Sequence, residues 1–176
     1  MMSEFLVIST SLNADSNSRI LARKAFEFLE EKHQVEWLDL RDFALPQCDG
    51  DAAYAHPDVK TVSAKIEAVK CVIMAVPIYN YAAGSPAKNL IELTGKAWTD
   101  KLVGFLCAAG GKHSYMAVLG LANSLMLDFR CWIIPRFVYA DGSAFDGEAI
   151  DSNVAERIKE LTTTAARLSQ TALSRV

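Results

Sequence analysis

The sequence predicts an α/β fold of three layers, with helices on both faces of a doubly wound, five-stranded parallel sheet. Short apolar runs alternate along the chain with segments of helical periodicity, which is the pattern of successive βαβ units. The runs at 71–76 and 102–108 carry no charge and no polar alternation, so both faces of these strands are expected to be covered. With 176 residues, 51% of them hydrophobic, the chain is expected to form one domain over residues 1–176.

Five apolar runs predict the strands of this sheet. They span residues 5–8, 35–40, 71–76, 102–108 and 131–134. The second run alternates apolar residues with Glu and Asp, which places it near an edge of the sheet. Sheet pairing is expected to stop at Pro77 and at Pro135, because proline has no amide hydrogen to donate. Right-handed crossovers then favour the strand order 2-1-3-4-5.

Helical spacing of apolar residues predicts five helices. They span residues 19–31, 58–69, 86–98, 114–129 and 151–173. Residues 41–57 and 137–147 are predicted to be loops, and the first of these could fold over a ligand. The helix at 114–129 carries almost no charge, which fits either a subunit interface or burial between the sheet and the final helix.

Composition argues against several classes of protein. The net charge is -3 and no long basic run is present, so nucleic-acid binding is not expected. The four cysteines are far apart and the three histidines lack metal-ligand spacing, which argues against disulfides and a zinc site. No apolar stretch approaches the roughly 20 residues of a membrane helix, and the opening MMSEF does not fit a signal peptide. A cytoplasmic protein is therefore expected.

Three loops are expected to meet at one edge of the sheet. In the order 2-1-3-4-5, strands one and three are neighbours and the chain leaves them toward opposite faces. Ligands of open α/β sheets bind at such a switch point, outside the carboxyl ends of the strands. The loops at 9–18, 77–83 and 109–114 all follow strands of this region.

The first loop is suited to a phosphate group. Its hydrogen-bond donors are Ser9, Thr10, Ser11, Asn13, Ser16, Asn17 and Ser18. The following helix also directs its unpaired backbone N–H groups at this loop. The alternative is that Ser16 or Asn17 only caps the helix, as Ser and Asn do in many proteins. Asp15 would repel a phosphate, so its side chain is expected to point away or to cap the helix.

The other two loops are suited to a flat ligand. Tyr79, Asn80 and Tyr81 place two aromatic rings and an amide beside the phosphate position, although the two tyrosines could instead pack on a neighbouring helix. Gly110 and Gly111 follow a buried strand, where the missing Cβ permits close approach of backbone amides and a positive φ. Such amides could stabilise negative charge on a ring, while the alternative is an ordinary strand-to-helix turn.

These segments resemble the NAD(P)H-dependent FMN reductases of the flavodoxin-like fold, which include quinone, chromate and azo-dye reductases. The family's phosphate loop, Gly-Ser-x-Arg followed by Ser and Asn, is similar to residues 10–13 and 16–18. Its Pro-Glu-Tyr-Asn motif, followed by small residues, proline and Leu-Lys-Asn, is similar to residues 77–80 and 85–89. Its small-residue pair after the fourth strand is similar to residues 109–111. Two positions depart from the family: Asn13 replaces a frequent arginine, and Ile78 replaces a frequent acidic residue.

The resemblance implies FMN as cofactor and NAD(P)H as co-substrate. Hydride would pass from NAD(P)H to flavin N5, and electrons would then pass to a quinone, an azo compound, a metal oxyanion or free flavin. The residues expected to bind the cofactor are Ser9, Ser11, Asn13, Ser16, Asn17, Ser18, Pro77, Ile78, Tyr79, Asn80, Tyr81, Ala109, Gly110, Gly111 and Ser114. No side-chain acid or base is required, so no catalytic residue and no metal ligand are assigned. The resemblance also implies a homodimer or homotetramer.

Two other functions remain open at this stage. A flavodoxin-type electron carrier would bind FMN without reacting with NAD(P)H, and a flavin-free relative would serve as a scaffold or sensor. Flavodoxins tend to be strongly acidic and carry a Thr/Ser-x-Thr-Gly-x-Thr phosphate loop, whereas this chain is nearly balanced in charge and its loop differs. These differences favour the enzyme.

Overall fold

Seven strands build the main sheet. They are β1 (Phe5–Ser9), β2 (Val35–Asp39), β3 (Cys71–Tyr79), β4 (Ala82–Ala83), β5 (Leu102–Ala109), β6 (Trp132–Ile133) and β7 (Val138–Asp141). The computed structural model describes residues 4–172, with side chains up to residue 170. Most of the MMSEF segment and the predicted helix end at Leu173 therefore lie outside the described residues.

The predicted strand order is confirmed. The main path runs β2-β1-β3-β5-β6, with β1, β2, β3, β5 and β6 pairing in parallel. Strand β7 also pairs in parallel with β5, beyond β6, so β6 and β7 together occupy the fifth position. Counting β5 as the fourth strand gives the order 2-1-3-4-5.

Five α-helices connect these strands. They are α1 (Asn17–Glu30), α2 (Pro57–Glu67), α3 (Ser85–Thr94), α4 (Leu119–Phe129) and α5 (Ser152–Ala172). The predicted third and fourth helices each include a short 3₁₀ turn, at Gly95–Trp98 and Tyr115–Val118 respectively. Within residues 4–172, none of the helices combines the length and apolar character needed to cross a bilayer.

The helices divide between the two faces of the sheet, as a doubly wound fold requires. Successive strand residues point to opposite faces, so Leu6 and Ile8 pack with one core and Phe5 and Val7 with the other. The first core contains buried residues of α2, α3 and α4, and the second contains buried residues of α1 and α5. Because α4 and α5 lie on opposite faces, the prediction that the 114–129 helix could be buried against the final helix is wrong.

The prediction that pairing stops at Pro77 is also wrong. Strand β3 continues to Tyr79, and Pro77 stands opposite Ala108 of β5. The carbonyl oxygen of Pro77 accepts a hydrogen bond from Gly84 N at 2.8 Å. A strand residue directs its N and its carbonyl oxygen to the same side, so the missing donor of Pro77 faces away from β5. No hydrogen bond of the β3–β5 ladder is lost.

The predicted loop at 137–147 is also wrong. Pro135 does end β6, and Arg136 takes a positive φ of 60°, but the chain rejoins the sheet as β7. A small hairpin of β8 (Phe145–Asp146) and β9 (Ala149–Ile150) follows before α5. The fifth strand is thus interrupted by four residues rather than ended.

Candidate functional site

The carboxyl edge of the sheet is stepped. Ser9 at the end of β1 stands level with Asp39 of β2 and Ala75 of β3. Strand β3 continues beyond this level, and its Ile78 is paired with Ala109 of β5. Three further residues of strand correspond to roughly 10 Å. The first loop therefore lies on the low side of a wall formed by β3 and β5.

The loop at 9–18 begins with three buried polar residues. Ser9 is fully buried, and its hydroxyl is the buried side-chain polar atom left without a hydrogen-bond partner among the described residues. Thr10 is anchored instead, because its hydroxyl donates to the Ala75 carbonyl oxygen at 2.8 Å. Ser11 Oγ accepts from Asn13 N at 3.3 Å. An orphaned buried hydroxyl costs free energy, which a ligand that accepts its hydrogen bond would recover.

The end of the same loop begins helix α1. Ser16 is the N-cap, and its Oγ accepts from Arg19 N at 3.3 Å and lies 2.9 Å from Ser18 Oγ. The capping alternative is thus confirmed for Ser16, while Asn17 is the first helical residue. The backbone N–H groups of Asn17 and Ser18 find no acceptor within residues 4–172. Such groups at a helix start attract anions.

The Asn13 side chain is used inside the loop. Its Oδ1 accepts from Asp15 N at 3.1 Å, and its Nδ2 donates to the Asp15 carbonyl oxygen at 3.4 Å. Asp15 is exposed and does not cap the helix. The loop is therefore shaped by its own side chains before any ligand is considered.

The second loop is a tight hairpin. Asn80 and Tyr81 have φ of 48° and 62° and connect Tyr79 of β3 to Ala82 of β4. Positive φ at both central residues is typical of a type I′ turn. Tyr79 is 55% exposed and Tyr81 is 70% exposed, so the alternative in which both pack on a neighbouring helix is wrong. Ile78, in contrast, is buried in the core, so its side chain is withheld from this edge.

The third loop is held by a tyrosine of β7. The Tyr139 hydroxyl donates to the Gly111 carbonyl oxygen and accepts from Ser114 N at 3.2 Å. Gly110 and Gly111 are exposed, and a Cβ added at either would meet nothing within 4 Å. Neither glycine takes a positive φ, although the missing Cβ would permit one. What remains is open space directly beside their backbone, after the buried end of β5 at Ala109.

Two neighbouring elements complete the third loop. Tyr115 stacks on Phe137 with ring centroids 4.6 Å apart and meets Tyr139 edge-on at 5.7 Å. Strand β4 lies against the turn Tyr115–Val118, which joins the hairpin to this aromatic cluster. The second and third loops therefore form one continuous wall.

The end of β7 brings a further acidic residue to the same edge. Asp141 stands opposite Ala109, and its Oδ1 accepts from Ser143 Oγ at 2.6 Å and from Ser143 N at 2.9 Å. These hydrogen bonds, with a smaller contribution from Lys112, hold the pKa of Asp141 below its usual value. Asp141 and Tyr139 were missed from the sequence because both lie in the segment predicted to be a loop.

At the other end of the edge, a buried carboxylate is surrounded by arginines. Asp39 is 3% exposed, and Arg41 contacts both of its oxygens, with Nη2 to Oδ2 at 2.8 Å. Arg19 Nη1 lies 3.8 Å from Asp39 Oδ2. Burial and the carboxylate of Asp42 raise the pKa of Asp39, whereas Arg19 and Arg23 act in the opposite direction. The two-oxygen contact with Arg41 is the geometry of a charged pair, so we treat Asp39 as a carboxylate at neutral pH.

The irregular connection at 41–57 is fastened down. Asn89 of α3 accepts from Cys48 N at 2.8 Å and donates to the Pro46 carbonyl oxygen at 2.9 Å. Asp58 accepts from Ala44 N at 2.7 Å. Asn89 belongs to the segment that resembles the family motif, and here it ties the connection to α3.

A groove of about 850 Å³ lies elsewhere, along α5 and the break between β6 and β7. Arg136, Arg157, Glu160 and Arg167 are among its lining residues, and none of the three loops contributes to it. The site argued from the loops is an open edge rather than this groove. Within the described residues, no group of three His, Cys, Asp or Glu side chains is placed to hold a metal ion.

The strand order and the polar loops at the switch point define a flavodoxin-like α/β protein. A sequence model of the family described as NADPH-dependent FMN reductase matches residues 3–146, which is most of the chain. The chain therefore belongs to the NADPH-dependent FMN reductase family, whose members are oxidoreductases that use FMN and a nicotinamide co-substrate.

Individual proteins agree with this family. The chain is 26% identical over 167 residues to a probable NADPH:quinone oxidoreductase 2 of Oryza sativa subsp. japonica, covering 88% of this chain and 82% of that one. It is similar in fold to the flavoenzyme NAD(P)H:acceptor oxidoreductase FerB of Paracoccus denitrificans, with a TM-score of 0.79, 19% identity and coverage of 96% and 98%. An NADH:FMN oxidoreductase in its apo form gives a TM-score of 0.78, 18% identity and coverage of 95% and 89%.

Proposed function

We propose that this chain is an NAD(P)H oxidoreductase that holds FMN across the three loops at the carboxyl edge of the sheet. The observation that carries the proposal is the loop at 9–18. It combines the orphaned Ser9 hydroxyl with unpaired N–H groups at the start of α1. A phosphate monoester accepts hydrogen bonds from several directions and so fits this donor set. Family membership supports the same cofactor.

The assigned cofactor-binding residues divide by role. Ser9, Ser11, Ser16, Asn17, Ser18 and Asn13 form the phosphate loop, with Asn13 acting on the loop rather than on the ligand. Pro77, Ile78 and Ala109 contribute backbone at the wall. Tyr79, Asn80 and Tyr81 offer exposed faces on the hairpin, and Gly110, Gly111 and Ser114 offer backbone on the third loop.

The bound FMN would supply the redox chemistry, taking a hydride from NAD(P)H at N5 and returning the electron pair to a quinone, azo compound, metal oxyanion or free flavin. The chain's own residues would bind the FMN and orient the molecules that react with it. The exposed rings of Tyr79 and Tyr81 suit stacking of planar ligands. Backbone N–H groups at Gly110 and Gly111 suit a ring oxygen on which negative charge develops. No side chain is assigned to proton transfer.

An anaerobic titration tests the proposal. FMN is added to purified protein, followed by NADPH or by NADH, and the flavin absorbance is recorded. We expect FMN to bind and its absorbance to bleach on addition of a reduced nicotinamide nucleotide. Binding without bleaching by either nucleotide would instead support an electron carrier, and no binding would overturn the proposed site.

The proposal includes a homodimer or homotetramer. Four apolar residues on and just before α4 are exposed, with Leu127 at 74% and Met116 at 61%, joined by Leu119 and Met126. Trp132 on the edge strand β6 is 73% exposed. Apolar side chains clustered in this way are typical of a subunit interface.

Light scattering after size exclusion tests the oligomer. For the natural protein we expect a mass of at least twice the 19.3 kDa of one chain. In Leu127→Lys the mass should fall toward that of a single chain. Thr163→Lys, on α5 at the opposite face, is the matched control and should leave the mass unchanged. A monomer for the natural protein would overturn the interface.

Two broader expectations are retained as proposals. Both cores are built on the same sheet, which supports one domain and a single cooperative unfolding transition.

The four cysteines are free, and three of them are buried. Free thiols fit a reducing compartment, so the proposed location is the cytoplasm, which fractionation of cells expressing the tagged protein would test.

A further inference from the structure

We infer that Arg19 is the positioning residue of the phosphate loop, joining residues 9–18 to the end of β2. This inference rests on the proposed binding of FMN phosphate by that loop. Arg19 is the third residue of α1, and its Nη2 donates to the carbonyl oxygen of Ala14. Its Nη1 lies 3.8 Å from Asp39 Oδ2. One guanidinium group therefore spans the outer side of the loop and reaches a neighbouring strand.

Asp39 is a fixed partner for this contact. Its side chain is 4% exposed, and its oxygens accept from Arg41 N at 3.1 Å and from Arg41 Nη2 at 2.8 Å. Asp39 also lies in register with Ser9, the first residue of the loop. The carboxylate cannot move without breaking its hydrogen bonds to Arg41, so the ion pair of Arg19 is made with a rigid element.

The loop needs such a residue because it has no cation of its own. Residues 9–18 contain neither Lys nor Arg, and the family's frequent arginine is replaced by Asn13. The Asn13 amide is already committed to Asp15, while Asp15 itself brings a negative charge. Arg19 thus supplies both a positive charge and a backbone contact where the loop turns into the helix.

Lysine cannot replace this arrangement. The planar guanidinium donates to the Ala14 carbonyl oxygen with one nitrogen and places the other at ion-pair distance from Asp39, whereas an ammonium group is a compact charge on a flexible stem. Charge alone would survive Arg19→Lys, but the two-ended bridge would not. The pair of variants Arg19→Ala and Arg19→Lys therefore separates positioning from simple attraction.

The experiment compares dissociation constants for FMN and riboflavin by flavin fluorescence. Riboflavin lacks the phosphate and so does not require the loop. We expect Arg19→Ala to raise the FMN dissociation constant about tenfold, the size of one charge-assisted hydrogen bond. Arg19→Lys should raise it at least about threefold. Both variants should leave riboflavin binding within about twofold of the natural protein.

Arg23→Ala is the matched control. Arg23 lies one turn further along α1 and stacks on the Trp37 ring at 4.5 Å. Its charge also acts on Asp39, but its ring contact is with β2 and not with the loop at 9–18. The Arg23→Ala variant loses the same positive charge from the same helix, and FMN binding should be unchanged. The inference is overturned if Arg19→Lys binds FMN like the natural protein, if Arg23→Ala weakens FMN equally, or if riboflavin weakens in parallel. If the natural protein itself binds no FMN, the proposed function fails first.

Discussion

Tyr139 donates its hydroxyl hydrogen to the carbonyl oxygen of Gly111, across 28 residues of sequence. The same hydroxyl accepts from Ser114 N at 3.2 Å. One phenol on β7, the last strand of the main sheet, thereby holds both ends of the glycine turn that follows β5. The shape of this turn is set by β7, not by the glycines alone.

Tyr139→Phe should loosen this turn while keeping the ring contact with Tyr115. Loss of a neutral hydrogen bond corresponds to about 1 kcal/mol, so we expect dissociation constants of FMN and riboflavin to rise together, about fivefold. Both ligands are affected because the turn is placed beside the ring. Tyr115→Phe keeps its stack on Phe137 and serves as control. Unchanged flavin binding in Tyr139→Phe would show that the turn keeps its shape without the hydrogen bonds of the Tyr139 hydroxyl.

Tyr81→Gly should change stability and binding in opposite directions. Tyr81 has a φ of 62° in the hairpin turn, which costs about 1–2 kcal/mol for a residue with a side chain. Asn-Gly is the favoured pair for such a turn, so the free energy of unfolding should rise by about 1 kcal/mol. Flavin affinity should fall because an exposed aromatic face is removed. Denaturant unfolding measures the stability, and flavin titration measures the dissociation constant. A variant that is less stable than the natural protein and binds flavin with the same dissociation constant would contradict the prediction.

Gly84→Ala should disturb the hairpin from its base. An added Cβ would lie 3.0 Å from Pro77 Cγ and 3.3 Å from the Pro77 carbonyl oxygen. Since the proline ring is stiff, the Gly84 N–H to Pro77 hydrogen bond must lengthen, and we expect a loss of about 1–3 kcal/mol. Gly120→Ala is the control, because a Cβ there meets nothing within 4 Å in a helix that favours alanine. Equal stability of the two variants in denaturant unfolding would refute the close packing.

Thiol titration should find one reactive cysteine in the native protein. Burial raises the pKa of the Cys107 thiol to about 12 and that of Cys131 to about 11, and it raises the pKa of Cys71 as well. A thiol reacts as its thiolate, so these three should be inert near neutral pH. Cys48 is half-buried and should react with a disulfide reagent. All four should react after denaturation, and Cys48→Ser should abolish the native signal; more than one fast thiol in the native protein would contradict the buried placement of the others.

Most of the fold could be predicted from local apolar patterns in the sequence. The uncharged runs before Pro77 and Ala109 identified the central strands because a strand covered on both faces excludes charge. The two prolines misled for different reasons. A proline prevents pairing only if its nitrogen faces a neighbouring strand, and that depends on register, which the sequence does not display. Pro77 faces the side where β1 has already ended, and β7 resumes after Pro135 and the positive φ of Arg136.

The positions of the loops at the candidate site could also be predicted from the sequence, but not all of the residues that shape them. Ser9, Ser16 and Tyr81 stand where loop composition placed them, at the carboxyl edge of the sheet. Tyr139 and Asp141 were not recognised because they lie in the segment predicted to be a loop, and Arg19 was not recognised because its contact in the loop is with a backbone atom. Arg19 in particular looks like an ordinary outer-face residue of an amphipathic helix until its contact with Ala14 is seen.

The comparison of FMN with riboflavin in the natural protein tests the central claim most directly. The two ligands share the ring and differ by the phosphate, so their dissociation constants isolate the loop at 9–18. We predict that FMN binds at least about tenfold more tightly than riboflavin, the contribution of one or more charge-assisted hydrogen bonds. Equal dissociation constants would contradict the assignment of this loop to the phosphate.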